Sequence, residues 1–355
     1  MKSLYWRMIA ACLFAVCSMS VFATDGLTCG SLSLTKGESA TVDVFYVGEN
    51  ADYSSVTFTL FLPEGVKPVV NTKDQVTASS VVGGDIADYT VTGKYNSELK
   101  TCNITIDAAE LGEKLYTKTK GLLATVTLNV ATDAALSAGL VDVKIKMQSA
   151  ADGEGEDIVD GVDLETKVPV AAAVGGVAVP INSEGYATAC SAKALDFSAV
   201  EGVEAVFTVS KVADNTATLS PIESKQVPAE AGVVVKGTSG TVFVPFAEGS
   251  VAELGTNELI GVRSAKSIAE GCYILQGEEF VSCIAGTLPA GKAYLPATVG
   301  SSGAKAFTFD FGESTGINEV KTVKADGAIY SISGVRVAEP QKGVYIMNGR
   351  KVIVK

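Results

Sequence analysis

The residues of this chain that could do chemistry are carboxylates and thiols, because the sequence contains no histidine. Its absence removes the commonest general base, the Ser–His and Cys–His nucleophile pairs and the usual ligand of catalytic zinc. Two carboxyl groups about 5–10 Å apart could hydrolyse a glycoside. With 40 Asp and Glu residues, however, some such pair arises by chance. The composition therefore predicts that the protein is not an enzyme.

The stretch that most resembles a metal site is an acidic segment in the first half of the chain. Its candidate ligands are Asp152, Glu154, Glu156 and Asp157. Calcium binds carboxylate and carbonyl oxygens, and acidic residues at alternate positions can present them on one side of a loop. The segment lacks the glycine that an EF-hand loop has at its sixth position. A structural Ca²⁺ site and a solvated acidic loop both remain open, and no other cofactor is predicted.

The cysteines are few and widely spaced, and none forms a CxxC pair, which argues against a zinc site. Cys272 and Cys283 flank a pattern typical of a hairpin, with apolar runs at 273–276 and 280–282 around residues 277–279. A cross-strand disulfide and two buried thiols are both consistent with it.

Exposed aromatic side chains would be needed to stack on a sugar, and the only tryptophan is Trp6, near the N-terminus. Phe61 is out of phase with Phe58 and Leu60, so it either points outward or ends a strand. The binding candidates are Phe61, Tyr89 and Tyr95, and burial in the core is the competing interpretation for each.

The elements that must position these residues are β-strands. Apolar and polar residues alternate in several runs, a pattern that buries one face of a strand and exposes the other. The runs are residues 41–47, 56–60, 103–107, 124–128 and 141–147. Many short strands without helical periodicity predict an all-β protein with an antiparallel β-sandwich.

Residues 1–23 have the pattern of a secretory signal peptide. Lys2 and Arg7 precede an apolar run at 8–21, and a small-residue cleavage motif ends at Ala23. The run is shorter than the roughly 20 residues of a membrane span. Lipidation at Cys12 or Cys17 is the alternative. The chain is therefore predicted to be secreted or exposed at the outer cell surface, without a transmembrane segment.

The formal net charge of −12 argues against some classes of partner. An acidic protein without a basic patch is repelled by nucleic acid and by anionic lipid. We therefore expect no nucleic-acid partner.

Residues 24–170 resemble a cohesin-type domain. The matching blocks are residues 36–44, 56–66 and 120–130, in the order in which the family shows them. The resemblance implies a nine-stranded, jelly-roll-like sandwich that docks a dockerin-like protein module or a glycan.

The small apolar segment 171–176 is predicted to be a linker, followed by a second β-rich domain at 177–312. That domain resembles a β-domain found near the C-termini of surface proteins of Bacteroides- and Prevotella-like bacteria. The blocks that carry the resemblance are residues 182–188, 194–197, 227–237 and 286–295. The family implies no specific activity.

After a second predicted linker, 313–325, the tail 326–355 ends in hairpin patterns. Asn348-Gly349 between alternating apolar residues is a strong hairpin signal. The tail resembles the C-terminal sorting domain of the Bacteroidetes type IX secretion route, which would imply export and attachment at the outer membrane. A small terminal β-unit without that role is the alternative.

These patterns together predict a non-catalytic binding protein that docks a partner module through its cohesin-like sandwich. Direct binding of a polysaccharide by the same sandwich and a structural or adhesin-like surface subunit are the alternatives.

Overall fold

The structure is a computed structural model in which the chain forms two compact units, Met1–Asp310 and Phe311–Lys355. The predicted signal peptide, including Cys12 and Cys17, lies outside the described residues, in which no helix has the length and apolarity of a membrane span. The described residues are 26–47, 53–73, 75–76, 78–79, 89–108, 121–152, 154, 156, 166–299, 304–311, 329–331, 336–337, 343–347 and 350–354.

The first part of the larger unit is a two-layered sandwich, here called the first sandwich. Its strands are β1 (Gly26–Cys29), β2 (Leu32–Leu34), β3 (Ser39–Val47), β4 (Ser55–Phe61), β5 (Val66–Pro68), β6 (Ala78–Ser79), β7 (Tyr89–Asn96), β8 (Thr101–Ala108), β9 (Leu122–Val130), β10 (Gly139–Leu140), β11 (Val143–Ala151), β12 (Val168–Val170) and β13 (Ala172–Val174). One layer has the order β1-β3-β9-β5, with β6 also paired to β9. The other layer has the order β12-β11-β4-β8-β7. Within both layers the strands pair antiparallel.

Alternating side chains of these strands form one core between the layers. Phe58 and Leu60 from β4 meet Ile104 and Ile106 from β8 and Val126 from β9, all almost fully buried. Burying one such side chain contributes about 1.5–3 kcal/mol. The same alternation turns the polar residues between them to the outer faces. The predicted all-β class and antiparallel sandwich are confirmed.

The second part of the larger unit, here called the second β-region, is organised around a nine-stranded sheet. Its elements are β14 (Gly176–Ile181), β15 (Tyr186–Ala189), β16 (Leu195–Asp196), β17 (Val203–Ala213), β18 (Thr216–Pro221), β19 (Gln226–Val227), β20 (Val233–Gly237), β21 (Gly240–Pro245), β22 (Ile260–Val262), β23 (Lys266–Ile268), β24 (Tyr273–Gln276), β25 (Glu279–Ser282), β26 (Gly286–Leu288), β27 (Lys292–Leu295), the 3₁₀ turn η1 (Ala297–Val299) and β28 (Ala306–Asp310). The sheet has the order β15-β20-β17-β18-β28-β25-β24-β27-β22, and β14-β21, β16-β19 and β23-β26 form short pairs beside it.

The hairpin predicted around residues 277–279 is confirmed. β24 and β25 pair antiparallel, with Gln276 opposite Glu279, so a two-residue loop connects them. Gly277 opens that loop with φ of 63°, a left-handed conformation that glycine adopts without steric cost.

The segment 171–176 differs from the linker that the sequence predicts. Its central residues form β13, which pairs in parallel with β2 and is buried. Gly176 already begins β14. The small apolar side chains in this segment fit a tightly packed strand, which composition alone does not distinguish from a flexible connector.

The smaller unit contains β29 (Ile329–Ser331), β30 (Arg336–Val337), β31 (Gly343–Met347) and β32 (Arg350–Val354). They form a sheet with the order β30-β29-β31-β32. Met347 lies opposite Arg350, which confirms the hairpin predicted from Asn348-Gly349, although those two residues lie outside the described ones.

Candidate functional site

The two layers of the first sandwich differ in what covers their outer faces. Asp43 on β3 points outward, yet it is only 5 % exposed because the second β-region packs over it. Thr125 on β9 donates to its carboxylate over 2.7 Å, and the backbone N–H groups of Ala265 and Ala290 also donate to it. Two loops of the second β-region therefore recognise one carboxylate of the first sandwich.

Burial raises the pKa of the Asp43 carboxyl, because loss of water penalises its charged form. The three hydrogen bonds from Thr125, Ala265 and Ala290 act in the opposite direction but do not outweigh the burial. Asp43 is thus an interface residue rather than a solvated surface charge.

Other contacts extend this interface. A Cβ atom added at Gly30 would lie 3.0 Å from the Cβ atom of Pro289, which shows how closely the two parts approach. Lys193 forms an ion pair with Glu38 at 2.9 Å, and Ser33 donates to the carbonyl of Gly176 over 2.7 Å. The chain's own second β-region therefore covers the part of the β1-β3-β9 layer around Asp43.

A groove of about 280 Å³ remains between the two parts. Lys193 and Arg263 lie along it, and each is paired with a carboxylate, of Glu38 and Glu230 respectively. Its cations are thus already neutralised by the protein, as expected for a gap left between two packed parts.

The outer face of the β11-β4-β8-β7 layer, here called the open face, is the candidate functional site. Strand pairing arranges its outward residues in rows across the sheet. The rows are Lys144, Phe61, Thr101 and Asn96; Lys146, Thr59, Asn103 and Lys94; Ser149, Thr57, Thr105 and Thr92; and Ala151, Ser55, Asp107 and Thr90. Many of these side chains are exposed or half-buried, and most carry hydroxyl, amide or ammonium groups.

Hydrogen bonds connect the side chains of the open face from strand to strand. Ser55 donates to Asp107 over 2.5 Å, and the hydroxyls of Thr57 and Thr105 lie 3.0 Å apart. The next pair along β4 and β8 continues the pattern, because Thr59 donates to the Asn103 side chain over 2.7 Å. We call these three pairs the polar ladder. It holds the side-chain rotamers of the open face in place.

Phe61 occupies one end of the open face. The ammonium group of Lys167 lies 4.1 Å from the centre of its ring, a cation–π contact. Lys144, opposite Phe61 on β11, forms an ion pair with Asp142 at 2.9 Å. An aromatic ring flanked by ammonium groups therefore lies at this end, while Asp107 lies toward the other.

The three aromatic candidates are not brought together. Phe61 points outward, whereas Tyr95 on β7 is half-buried against the core of the first sandwich. Tyr89 begins β7, but its side chain lies outside the described positions. Binding by Phe61, Tyr89 or Tyr95 therefore stays a prediction, and the structure places Phe61 best for it.

The acidic segment forms a turn at the end of β11. Asp152 accepts through one carboxylate oxygen from the backbone N–H groups of Glu154 and Glu156, each over 2.9 Å. Asp157 lies outside the described residues. No cluster of three or more potential metal ligands occurs among the residues that the structure describes. The calcium site stays a prediction.

The cysteines Cys29, Cys102, Cys190, Cys272 and Cys283 are buried and present as thiols. Burial raises the pKa of Cys102 to about 12 and, together with the nearby Glu230 carboxylate, that of Cys190 to about 11. Since the thiolate is the reactive form, these two thiols are poor nucleophiles.

Sequence reasoning did not single out Asp43 or the polar ladder. Asp43 has the same spacing as any outward residue of an amphipathic strand, so the sequence carries no signal for its burial. The threonines of the polar ladder did leave a signal, because Thr57, Thr59 and Thr105 alternate with core residues. Only the strand register shows that they meet.

No family model matches the chain, and no curated protein matches it. Among solved structures, a cohesin from scaffoldin B of Acetivibrio cellulolyticus, solved in complex with a dockerin, is 14% identical with a TM-score of 0.29. It covers 41% of this chain and 97% of its own. A type II cohesin from Bacteroides cellulosolvens is also 14% identical, with a TM-score of 0.32, and covers 41% of this chain and 98% of its own.

Proposed function

We propose that this chain is a non-catalytic docking protein whose open face binds a folded protein module. The observation that carries the proposal is the inequality of the two layers of the first sandwich. One layer is covered around Asp43 by the second β-region, while most outward side chains of the β11-β4-β8-β7 layer are exposed or half-buried, with Thr59 and Thr101 buried. The cohesin-like motifs favour a dockerin-like module as the class of partner.

The polar ladder supports this assignment energetically. Ordering side chains at an interface costs conformational entropy, about 0.5–1.5 kcal/mol for a rotamer-rich side chain and less for serine or threonine. Ser55, Thr57 and Thr59 are already held by their neighbours on β8. The open face would therefore lose little conformational entropy when a partner covers it.

The open face by itself is smaller than a standard protein–protein interface. Four strands about 4.8 Å apart and about seven residues long form a patch of roughly 19 by 24 Å. Its flat area is roughly 450 Å², whereas a standard interface buries about 800 Å² per partner. A partner would therefore also contact the rim, where Phe61 and Lys94 lie.

Substitutions that add charge and bulk to the open face test the proposal. We expect Thr57→Arg/Thr105→Arg to abolish capture of partner proteins from the native secretome, because two arginines would disrupt the centre of the polar ladder. Thr241→Arg, on the exposed surface of β21, is the matched control and should retain capture. Equal capture by all three proteins, or none by the wild type, would contradict the proposal.

Direct polysaccharide binding is a second candidate, favoured by the outward position of Phe61. Affinity electrophoresis of wild type and Phe61→Ala on a panel of glycans tests it. Retardation of the wild type that is lost in Phe61→Ala would support it, and unretarded migration on every gel would count against it.

We also propose export by the signal peptide of residues 1–23 and surface attachment through the tail 326–355. The support is the pattern of each segment in the sequence. Deleting residues 326–355 should shift the protein from the cell surface to the periplasm. An unchanged distribution in cell fractions would show that the tail has no sorting role.

A further inference from the structure

We infer that Cys272 and Cys283 form a cross-strand disulfide when the protein folds under oxidising conditions. The two residues lie just beyond the ends of β24 and β25, which pair from Gln276 opposite Glu279 to Tyr273 opposite Ser282. The next pair in that register is Cys272 opposite Cys283. The backbone N–H of Cys283 donates to the carbonyl of Cys272 over 2.8 Å, and its own carbonyl accepts from the N–H of Gly271 over 3.0 Å, so the two strands still lie side by side at this position.

Their side chains point to the same side of the hairpin. Alternation places them on the face of Ile274 and Val281, which are themselves opposite one another. Both cysteines belong to one buried cluster, with exposures of 6 % for Cys272 and 4 % for Cys283. Opposite residues of an antiparallel pair have Cα atoms about 4.5–5.5 Å apart, within the range that a disulfide spans.

The reaction requires an external disulfide as oxidant, such as oxidised glutathione or a thiol oxidoreductase. The thiolate of one cysteine attacks that disulfide, forms a mixed disulfide and displaces one thiolate. The second cysteine then attacks the mixed disulfide and displaces the other thiolate. The two protons of the cysteine thiols pass to the two leaving groups, so the protein pair is oxidised and the oxidant is reduced.

Burial determines when this exchange happens. In the folded protein both sulfur atoms are covered by the apolar cluster, which includes Val262, Ile268 and Leu288. An oxidant therefore reaches them before the hairpin packs, and a reductant does not reach the finished bond. The other described cysteines lie outside this apolar cluster. Cys190, for example, donates to the carbonyl of Glu230.

Peptide mapping of the full chain tests the inference. The protein is refolded with reduced and oxidised glutathione, alkylated under native and denaturing conditions, and digested with trypsin and Glu-C. Trypsin releases residues 267–292, which contain only these two cysteines, and Glu-C cleaves between them at Glu278 and Glu279. We expect two fragments joined by a disulfide that survives native dithiothreitol and breaks only after denaturation.

Stability provides an independent measurement. Closing the short loop between the cysteines should raise the Tm by about 5 °C over the reduced protein. In the Cys272→Ser/Cys283→Ser variant the Tm should no longer depend on reductant, whereas in Cys190→Ser it should still depend on it. Full alkylation of both cysteines in the refolded wild type, or a bond from either of them to another cysteine, would overturn the inference, even if the variants fold poorly.

Discussion

The hydroxyl of Thr125 donates to the carboxylate of Asp43 over 2.7 Å, directly across the β3–β9 pair. This bond fixes the carboxylate on the outer face of the first sandwich, where the N–H groups of Ala265 and Ala290 reach it. The same contact joins two parts of the chain on the β3–β9 side of the first sandwich, and the open face belongs to the other layer.

Replacing Asp43 tests this junction. Asp43→Ala should lower the free energy of unfolding by about 1–3 kcal/mol, because the donors from Ala265, Ala290 and Thr125 lose their acceptor. Asp43→Asn keeps an acceptor oxygen without a buried charge and should cost less. Urea denaturation measures both, and an equal loss in the two variants would show that the hydrogen bonds are unimportant.

The raised pKa of Asp43 predicts a definite pH dependence. The native state holds its proton more tightly than the unfolded state, whose value is 3.8. The stability that this group contributes is therefore present below pH 3.8 and is lost as pH rises through the folded pKa. Relative to Asp43→Asn, the wild type should lose stability as the pH is raised from 3.5 toward neutrality.

Asp196 is a control whose pKa is shifted in the opposite direction from that of Asp43. Hydrogen bonds from Ser198 lower its pKa, so its contribution is present above pH 3.8 and is lost as pH falls. Unfolding curves of Asp196→Asn against the wild type should diverge with rising pH. If the stability difference between wild type and variant changed with pH in the same direction at Asp43 and at Asp196, the assignment of Asp43 to a buried site would be wrong.

Two phenylalanines of β4 should differ sharply in their effect on stability. Phe58 is fully buried, so Phe58→Ala should cost about 3–5 kcal/mol. Phe61 is half-buried on the open face, and Phe61→Ala should cost less than about 1 kcal/mol. Thermal or chemical unfolding measures both, and a large loss from Phe61→Ala would show that this ring belongs to the core.

The polar ladder predicts coupling between Thr57 and Thr105. Valine has the shape of threonine without the hydroxyl, so a double-mutant cycle with Thr57→Val and Thr105→Val isolates their hydrogen bond. We expect a coupling free energy of about 0.2–1 kcal/mol. Additive losses would mean that the 3.0 Å contact contributes nothing to stability.

Local patterns predicted much of the fold because the two-residue period of a strand is a local property. The hairpin before Cys283 follows from the spacing of apolar residues and from turn residues alone. The segment 171–176 has the composition of a linker, and its pairing with β2 has no local signal because it joins residues that are far apart in the sequence.

The sequence by itself determined that the chain forms strands whose side chains alternate between two faces, and that histidine-based chemistry is excluded. Only the tertiary structure decided which outer face remains open. Alternation separates the inside of a strand from its outside, but it does not say what packs on that outside. Asp43 and Thr57 are both outward residues of the first sandwich; one is covered by loops more than two hundred residues away, and the other remains on the open face.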